Sequence, residues 1–293
     1  MSSTSDSVLE SLSEDVRSFY ALREIKRMHE PSAAEFLRHA VSCHQPVIIT
    51  GLLDDWKAME KWETTEGFLN SCPEQVNVNL TPDGRADSIQ AQADGEDGED
   101  YFVTPAETSL NSRLFMDMLE NPIEGDAVAY LSQQNDNLRA TMPTLLDDCA
   151  PSLPLADSVF LGDALLADKP EAINLWVGTE KSVSSTHKDY FENMYAVVRG
   201  EKTFTLFPPT DIIFLPNKKC KSRAYKYNGP NTHTSLSRPS QADLQVSLDG
   251  YISVLLVSCF MRSGALDSSG VLQSHPVISL ASDITIMLIS TLF

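Results

Sequence analysis

The sequence predicts a mainly β domain led in by helices. Three observations predict it. Two capping boxes, each followed by apolar residues at helical spacing, fall within the first 45 residues. Short apolar or alternating runs bounded by turn residues recur from residue 46 onward, and from residue 173 the signals are of strand type. No repeat or linker divides the 293 residues, so one domain is the simplest organisation.

The elements follow in order. Ser7-x-x-Glu10 reads as a capping box, and Leu9, Leu12, Val16 and Phe19 continue at spacings of three, four and three, which predicts an amphipathic helix. Ser32-x-x-Glu35 opens a second, short helix through Phe36, Leu37 and Val41. "PVIITG" (46–51) predicts a buried strand stopped by Gly51. "WKAMEKW" and "EGFLNS" predict short helices, and "VNVNL" (76–80) alternates as a strand before the turn "TPDG". The acidic run "ADGEDGED" (93–100) lacks the ligand spacing of an EF-hand loop, so a solvated loop is expected. Helices are expected at 111–120 and 136–148, with the strand "AVAYLS" (127–132) between them and "INLWVG" (173–178) after them. Two apolar runs around Gly200 predict a β-hairpin closed by Pro208-Pro209. The runs 251–261 and 277–293 are too short or too interrupted to span a membrane, Asp283 lying inside the second, and buried strands are expected there instead.

Composition narrows the function class. A net charge of −19 argues against nucleic acid and anionic membranes as partners and favours a basic protein. Five scattered cysteines without a CxxC pair fit neither a disulfide framework nor a zinc finger. The acidic start has no basic-then-apolar leader pattern, so a reducing cytoplasmic or nuclear setting is expected.

The chemistry concentrates in "THKDYFENMYAVVRGEKTFTLFPP" (186–209). With six histidines and 41 acidic residues, about one His-x-Asp/Glu pair arises by chance, so the pair alone carries little. On an extended segment, however, His187 and Asp189 leave the same face, and an imidazole beside a carboxylate suits Fe(II) or Mn(II). Lys202, in the second run of the expected hairpin, needs an anion if it points into a barrel and none if it stands exposed after "RGEK". A dicarboxylate would be such an anion, with Asn193, Ser184 and Thr186 adding hydrogen bonds. A kinase catalytic loop is excluded, because only three residues separate Asp189 from Asn193 and no Gly-rich nucleotide loop precedes them.

The same window, with "PVIITG", Trp56 and Trp62, "VNVNLTPDGRAD", "AVAYLSQQNDNL" and "INLWVG", resembles the Jumonji-C (JmjC) branch of the 2-oxoglutarate oxygenases, collinearly over residues 1–216. It is most like those members that combine a peptidase with a (3S)-lysyl hydroxylase. The resemblance implies a double-stranded β-helix, the jelly-roll or cupin barrel. It divides the chain into a helical region (1–45), the JmjC/cupin-like domain (46–250) and a divergent apolar tail (251–293). It implies Fe(II) held by His187 and Asp189, and the cosubstrate 2-oxoglutarate held by Lys202 with Tyr130, Asn193 and Ser184, where the family more often has Thr. The implied reaction is oxidative decarboxylation of 2-oxoglutarate coupled to hydroxylation of a lysine in a partner protein. A developmentally regulated GTP-binding protein is the substrate class, and a homodimer is left open.

Past residue 217 the pattern departs. The family's second histidine ligand, expected about a hundred residues beyond the first, is not in its usual surroundings. Only His233 and His275 follow Asp189, and His275 is the remaining candidate. The expected consequence is a barrel without its last strands, a weaker metal site, and an open sheet edge that the apolar tail would cover. A non-catalytic cupin-like binding module and an inactive truncated isoform are the alternative expectations.

Overall fold

The computed structural model describes residues 3–20, 24–91, 100–150, 153–161, 170–187, 192–207, 218–229, 238–254, 277–278 and 285–292. Helix α1 (Ser3–Tyr20) is followed by β1 (Lys26–His29), α2 (Ala33–His39) and β2 (Val47–Thr50). Then come α3 (Lys57–Lys61), α4 (Thr65–Leu69), β3 (Gln75–Thr81), β4 (Arg85–Ala86), β5 (Ser88–Ala91), β6 (Asp100–Thr104) and β7 (Ala106–Asn111). The chain continues through α5 (Ser112–Glu120), β8 (Val128–Tyr130), α6 (Asn137–Ala140), α7 (Pro154–Ala156), β9 (Ala172–Gly178), β10 (Val183–Ser184) and β11 (Glu192–Arg199). Last are β12 (Phe204–Thr205), β13 (Lys218–Tyr227), β14 (Leu244–Val254), β15 (Val277–Ile278) and β16 (Thr285–Leu292). The protein is therefore mainly β with early helices, as expected, and its strands suit a jelly roll.

Several local expectations hold and several shift. Ser32 caps α2 through the predicted capping box, its backbone N–H donating to the Glu35 carboxylate at 2.9 Å. Helix α1 begins four residues before the Ser7 box, so that box lies inside the helix rather than at its start. Its apolar stripe is also not packed away. Leu9 and Leu12 remain 40% and 53% exposed, whereas Ser13 is buried. Strand β2 pairs in parallel with β1 and is half-buried, not the fully buried strand expected. The single helix expected over 136–148 is a short α6 followed by a 3₁₀ turn, Pro143–Asp147, because Pro143 cannot donate to the helical ladder. Among the described residues no helix is long and apolar enough to cross a membrane.

The largest correction concerns the expected hairpin. Strands β11 and β12 flank Gly200 but do not pair with each other. β11 pairs with β16, and β12 with β15. The chain thus turns from one sheet into another, and Lys202 sits in the connection rather than inside a strand.

Strand β16 lies between β11 and β9, antiparallel to both, from Glu192↔Leu292 on one side to Thr285↔Gly178 on the other. The apolar tail was expected to cover an open edge; its last strand instead becomes the middle of a three-stranded sheet. A bridge between Leu131 and Val177 joins that sheet to the antiparallel set β7–β3–β8. Near the bridge, the Asn137 side chain substitutes for a neighbouring strand. Its Oδ1 accepts from the Leu175 N–H at 2.7 Å and its Nδ2 donates to the Leu175 carbonyl at 3.0 Å.

Alternation along these strands divides the sheet into two faces. Val76, Val78, Leu80, Ala129, Leu131, Ile173, Leu175, Val177, Ala196 and Val198 form one core with Trp62, Phe68 and Phe115 from the helical layer. The residues between them, Asn79, Tyr130, Trp176 and Asn193, belong to the opposite face. That second face carries the polar chemistry.

Candidate active site

Tyr130 is at the centre of this face. It is 6% exposed, and its ring meets that of Trp176 edge-on with centroids 5.5 Å apart. The contact needs Gly178: a Cβ there would come within 2.7 Å of the Tyr130 ring and 2.5 Å of the Ser182 hydroxyl. Burial pushes the phenol's pKa well up, and the hydroxyl of Ser184 opposes this through a hydrogen bond to it. The phenol therefore stays protonated, a donor and acceptor rather than an anion.

Lys202 reaches this hydroxyl from the connection between β11 and β12. Its Nζ is 3.3 Å from the Tyr130 oxygen and 5.6 Å from the ring centroid. Among the described residues no carboxylate pairs with it. Loss of hydration pulls its pKa down to about 8, the cost of a half-buried ammonium without a counter-ion. Nearby, the Trp176 indole Nε1 is buried with no hydrogen-bond partner among the described residues. Tyr130, Ser184, Lys202 and Trp176 thus form a donor-rich group that no carboxylate among the described residues faces. The fit to a dicarboxylate such as 2-oxoglutarate is good on these grounds: one cation for charge, hydroxyls and an indole N–H for orientation.

His187 is set by a different device. β10 pairs in parallel with β4, Ser184 opposite Ala86, so the segment leading to His187 is laid on the "TPDGRAD" loop. That loop turns at Gly84, whose φ of +87° and whose approach to the Lys181 carbonyl leave no room for a Cβ. The turn is closed by the Gly84 N–H donating to the Thr81 hydroxyl at 2.8 Å, and the Ser185 hydroxyl donates to the Asp87 carbonyl at 2.5 Å. The imidazole Nδ1 donates to the Ser185 carbonyl at 2.7 Å, the arrangement in which a histidine binds a metal through Nε2. Loss of hydration raises the Asp87 carboxyl, the His187 imidazole opposes this, and Glu107 adds to it, so the three groups lie within electrostatic reach of one another.

Of the expected site residues, the fold brings Ser184 and Lys202 each onto the Tyr130 hydroxyl. Asn193 stands on the same sheet on β11, opposite Thr291 of β16. Asp189 and His275 lie outside the described residues, and among the described residues no three metal-ligating side chains gather. Sequence reasoning passed over Trp176, Asn79 and Asp87 although "INLWVG" and "VNVNLTPDGRAD" were singled out. The usable signal was the alternation itself, which puts Trp176 and Asn79 opposite the aliphatic residues of their strands.

Comparison with known proteins decides the family. The pattern of the cupin-like domain family matches residues 33–270. The chain belongs to that family. Among the proteins it resembles are members of the JmjC group. It is 32% identical over 226 residues to JmjC domain-containing protein E of Dictyostelium discoideum, covering 75% of this chain and 62% of that protein. It is 34% identical over 225 residues to Lysine-specific demethylase JMJ32 of Arabidopsis thaliana, covering 75% and 61%. It is 33% identical over 202 residues to the human Bifunctional peptidase and (3S)-lysyl hydroxylase JMJD7, covering 69% and 60%. These alignments span 60% to 62% of the relatives' own lengths. JmjC proteins are generally dependent on Fe(II) and 2-oxoglutarate.

Proposed function

We propose that this protein is an Fe(II)- and 2-oxoglutarate-dependent protein hydroxylase acting on lysine side chains. The observation that carries the reading is Lys202, a half-buried ammonium that meets a tyrosine hydroxyl and no carboxylate among the described residues. Lys202 and Tyr130 bind the far carboxylate of the cosubstrate, with Ser184, Asn193 and the Trp176 N–H orienting it. His187 offers Nε2 to the metal and Asp189, two residues on, offers a carboxylate. The third ligand in this reading is His275. It precedes Val277 by two residues, and Val277 pairs with Thr205, three residues beyond Lys202. When bound, the iron supplies O2 activation coupled to decarboxylation of 2-oxoglutarate. The partner is a protein with a basic surface, suited to a chain of net charge −19.

Anaerobic titration of the protein with Fe(II) and 2-oxoglutarate tests this. A visible metal-to-ligand charge-transfer band is expected in the wild type and is expected to vanish in Asp189→Ala. His187→Ala is expected to abolish 2-oxoglutarate turnover. His275→Ala is expected to weaken Fe(II) affinity by about 10–100-fold or more, since even an outer partner of a metal ligand is worth that much. Turnover retained in His187→Ala would sink the reading.

A further inference from the structure

We propose that Asn79, with Glu107 opposite it and Asp87 within electrostatic reach of Glu107, forms the subsite that receives the cationic end of the substrate's side chain. The inference rests on the hydroxylase reading above and adds the residues that select a lysine.

Asn79 is 9% exposed. Its Nδ2 donates to the Ser132 hydroxyl at 2.8 Å, while its Oδ1 is buried with no partner among the described residues. A buried carbonyl oxygen left without a donor is costly and is expected where a ligand completes it. The surroundings state which ligand. Asn79 is paired with Tyr130 on β8 and with Glu107 on β7, and side chains opposite one another across a ladder share a face. Glu107 and Asp87 lie within electrostatic reach of each other, and Asp87 of His187. 2-Oxoglutarate has no donor for Oδ1 and is repelled by both carboxylates. A lysine ammonium has three donors and the opposite charge.

The face therefore has two halves of opposite polarity with Tyr130 on the seam. Lys202, Ser184 and the Trp176 N–H supply donors and positive charge on one side. Asn79 and Glu107 supply an acceptor and negative charge on the other, with Asp87 within electrostatic reach of both Glu107 and His187. An anionic cosubstrate and a cationic side chain would be sorted to the two halves by charge, and wrong placement of either opposed by repulsion.

The test compares binding of Nα-acetyl-lysine N-methylamide with its norleucine counterpart, by NMR titration of the full chain with and without Fe(II) and 2-oxoglutarate under anaerobic conditions. Wild type is expected to favour the lysine probe by about tenfold or more, because a buried acceptor left unpaired discriminates against the isostere. Asn79→Leu is expected to bring that ratio near one while keeping the charge-transfer band. Should Asn79→Leu not fold, Asn79→Asp serves instead, with the lysine probe expected to bind about threefold more tightly or better as a neutral acceptor becomes a charged one. An unchanged ratio in Asn79→Leu, an unchanged affinity in Asn79→Asp, or no preference in wild type overturns the proposal. Absence of the charge-transfer band in wild type counts against the hydroxylase reading alone, because the ammonium preference is also read on the metal-free protein.

Discussion

Deleting residues 277–293 is expected to abolish the cooperative thermal transition of this protein. The reason is the position of β16. It is bonded along both edges, to β11 and to β9, rather than laid along an outer rim. A net stabilisation of about 0.5–1.5 kcal/mol for each ladder hydrogen bond, over roughly ten bonds, is on the order of the 5–15 kcal/mol that holds a domain folded. The loss is not confined to hydrogen bonds. Ile173, Leu175 and Val177 on β9 and Ala196 and Val198 on β11 belong to the main core, and removing the strand between them separates its walls. Leu288→Pro tests the same point with one residue. Position 288 is opposite Ala196 on one side and Leu175 on the other, in the middle of the sheet, where proline cannot donate. A destabilisation on the order of 3 kcal/mol is expected from the broken ladder and packing. Thermal melts followed by circular dichroism decide both. A truncated chain that still melts sharply within a few degrees of the full one would show that β16 is dispensable. A sharp melt of the full chain would itself dispose of the inactive, poorly folded alternative.

The second large effect is a pair of opposite pH dependences at Lys202. Burial lowers this ammonium to about 8 from an unfolded value near 10.5. Above the folded value the native lysine is neutral while the unfolded one still holds its proton. The unfolded state then binds more protons, so stability rises as pH climbs from about 8 toward 10.5. The gain is on the order of 2 kcal/mol once partial solvent access is allowed for. Affinity for 2-oxoglutarate should move the other way. The anion needs the charged lysine, so its dissociation constant is expected to rise about tenfold per pH unit above about 8. Lys202→Met should remove both slopes, raise the melting temperature near neutral pH, and weaken 2-oxoglutarate binding by about a hundredfold, the worth of a desolvated charge pair. Chemical denaturation and 2-oxoglutarate titration of the two proteins from pH 7 to 10 measure this. Parallel pH profiles for wild type and Lys202→Met would show that the ammonium is solvated and takes no part in binding.

Much of this protein was legible before its fold. The helix cap at Ser32, the strands over 75–81 and 172–178, the "TPDG" turn and the helix over 112–120 follow from local chemistry: caps, alternation and turn residues act within a few positions of where they are read. The JmjC resemblance was equally legible, because it rests on several runs in collinear order, "PVIITG", "VNVNLTPDGRAD", "INLWVG" and the window 186–209, and on no tertiary contact. Other features depend on partners far away in sequence. The two runs flanking Gly200 are compatible with a hairpin by spacing alone, and only β15 and β16, more than seventy residues later, take their hydrogen bonds elsewhere. The 277–293 run reads as a buried strand, but nothing local says whether it rims a sheet or divides one. The same limit governs the site. Sequence names Lys202 and Tyr130, yet whether that lysine is solvated or stranded beside a buried phenol is settled by how β8, β9 and the β11–β12 connection converge. Asn79 shows it most plainly: alternation assigns its face, but that its oxygen is buried with no partner among the described residues depends on how β3, β7 and β8 come together. Hydration and charge act through space, and the sequence fixes neither until the sheet has closed.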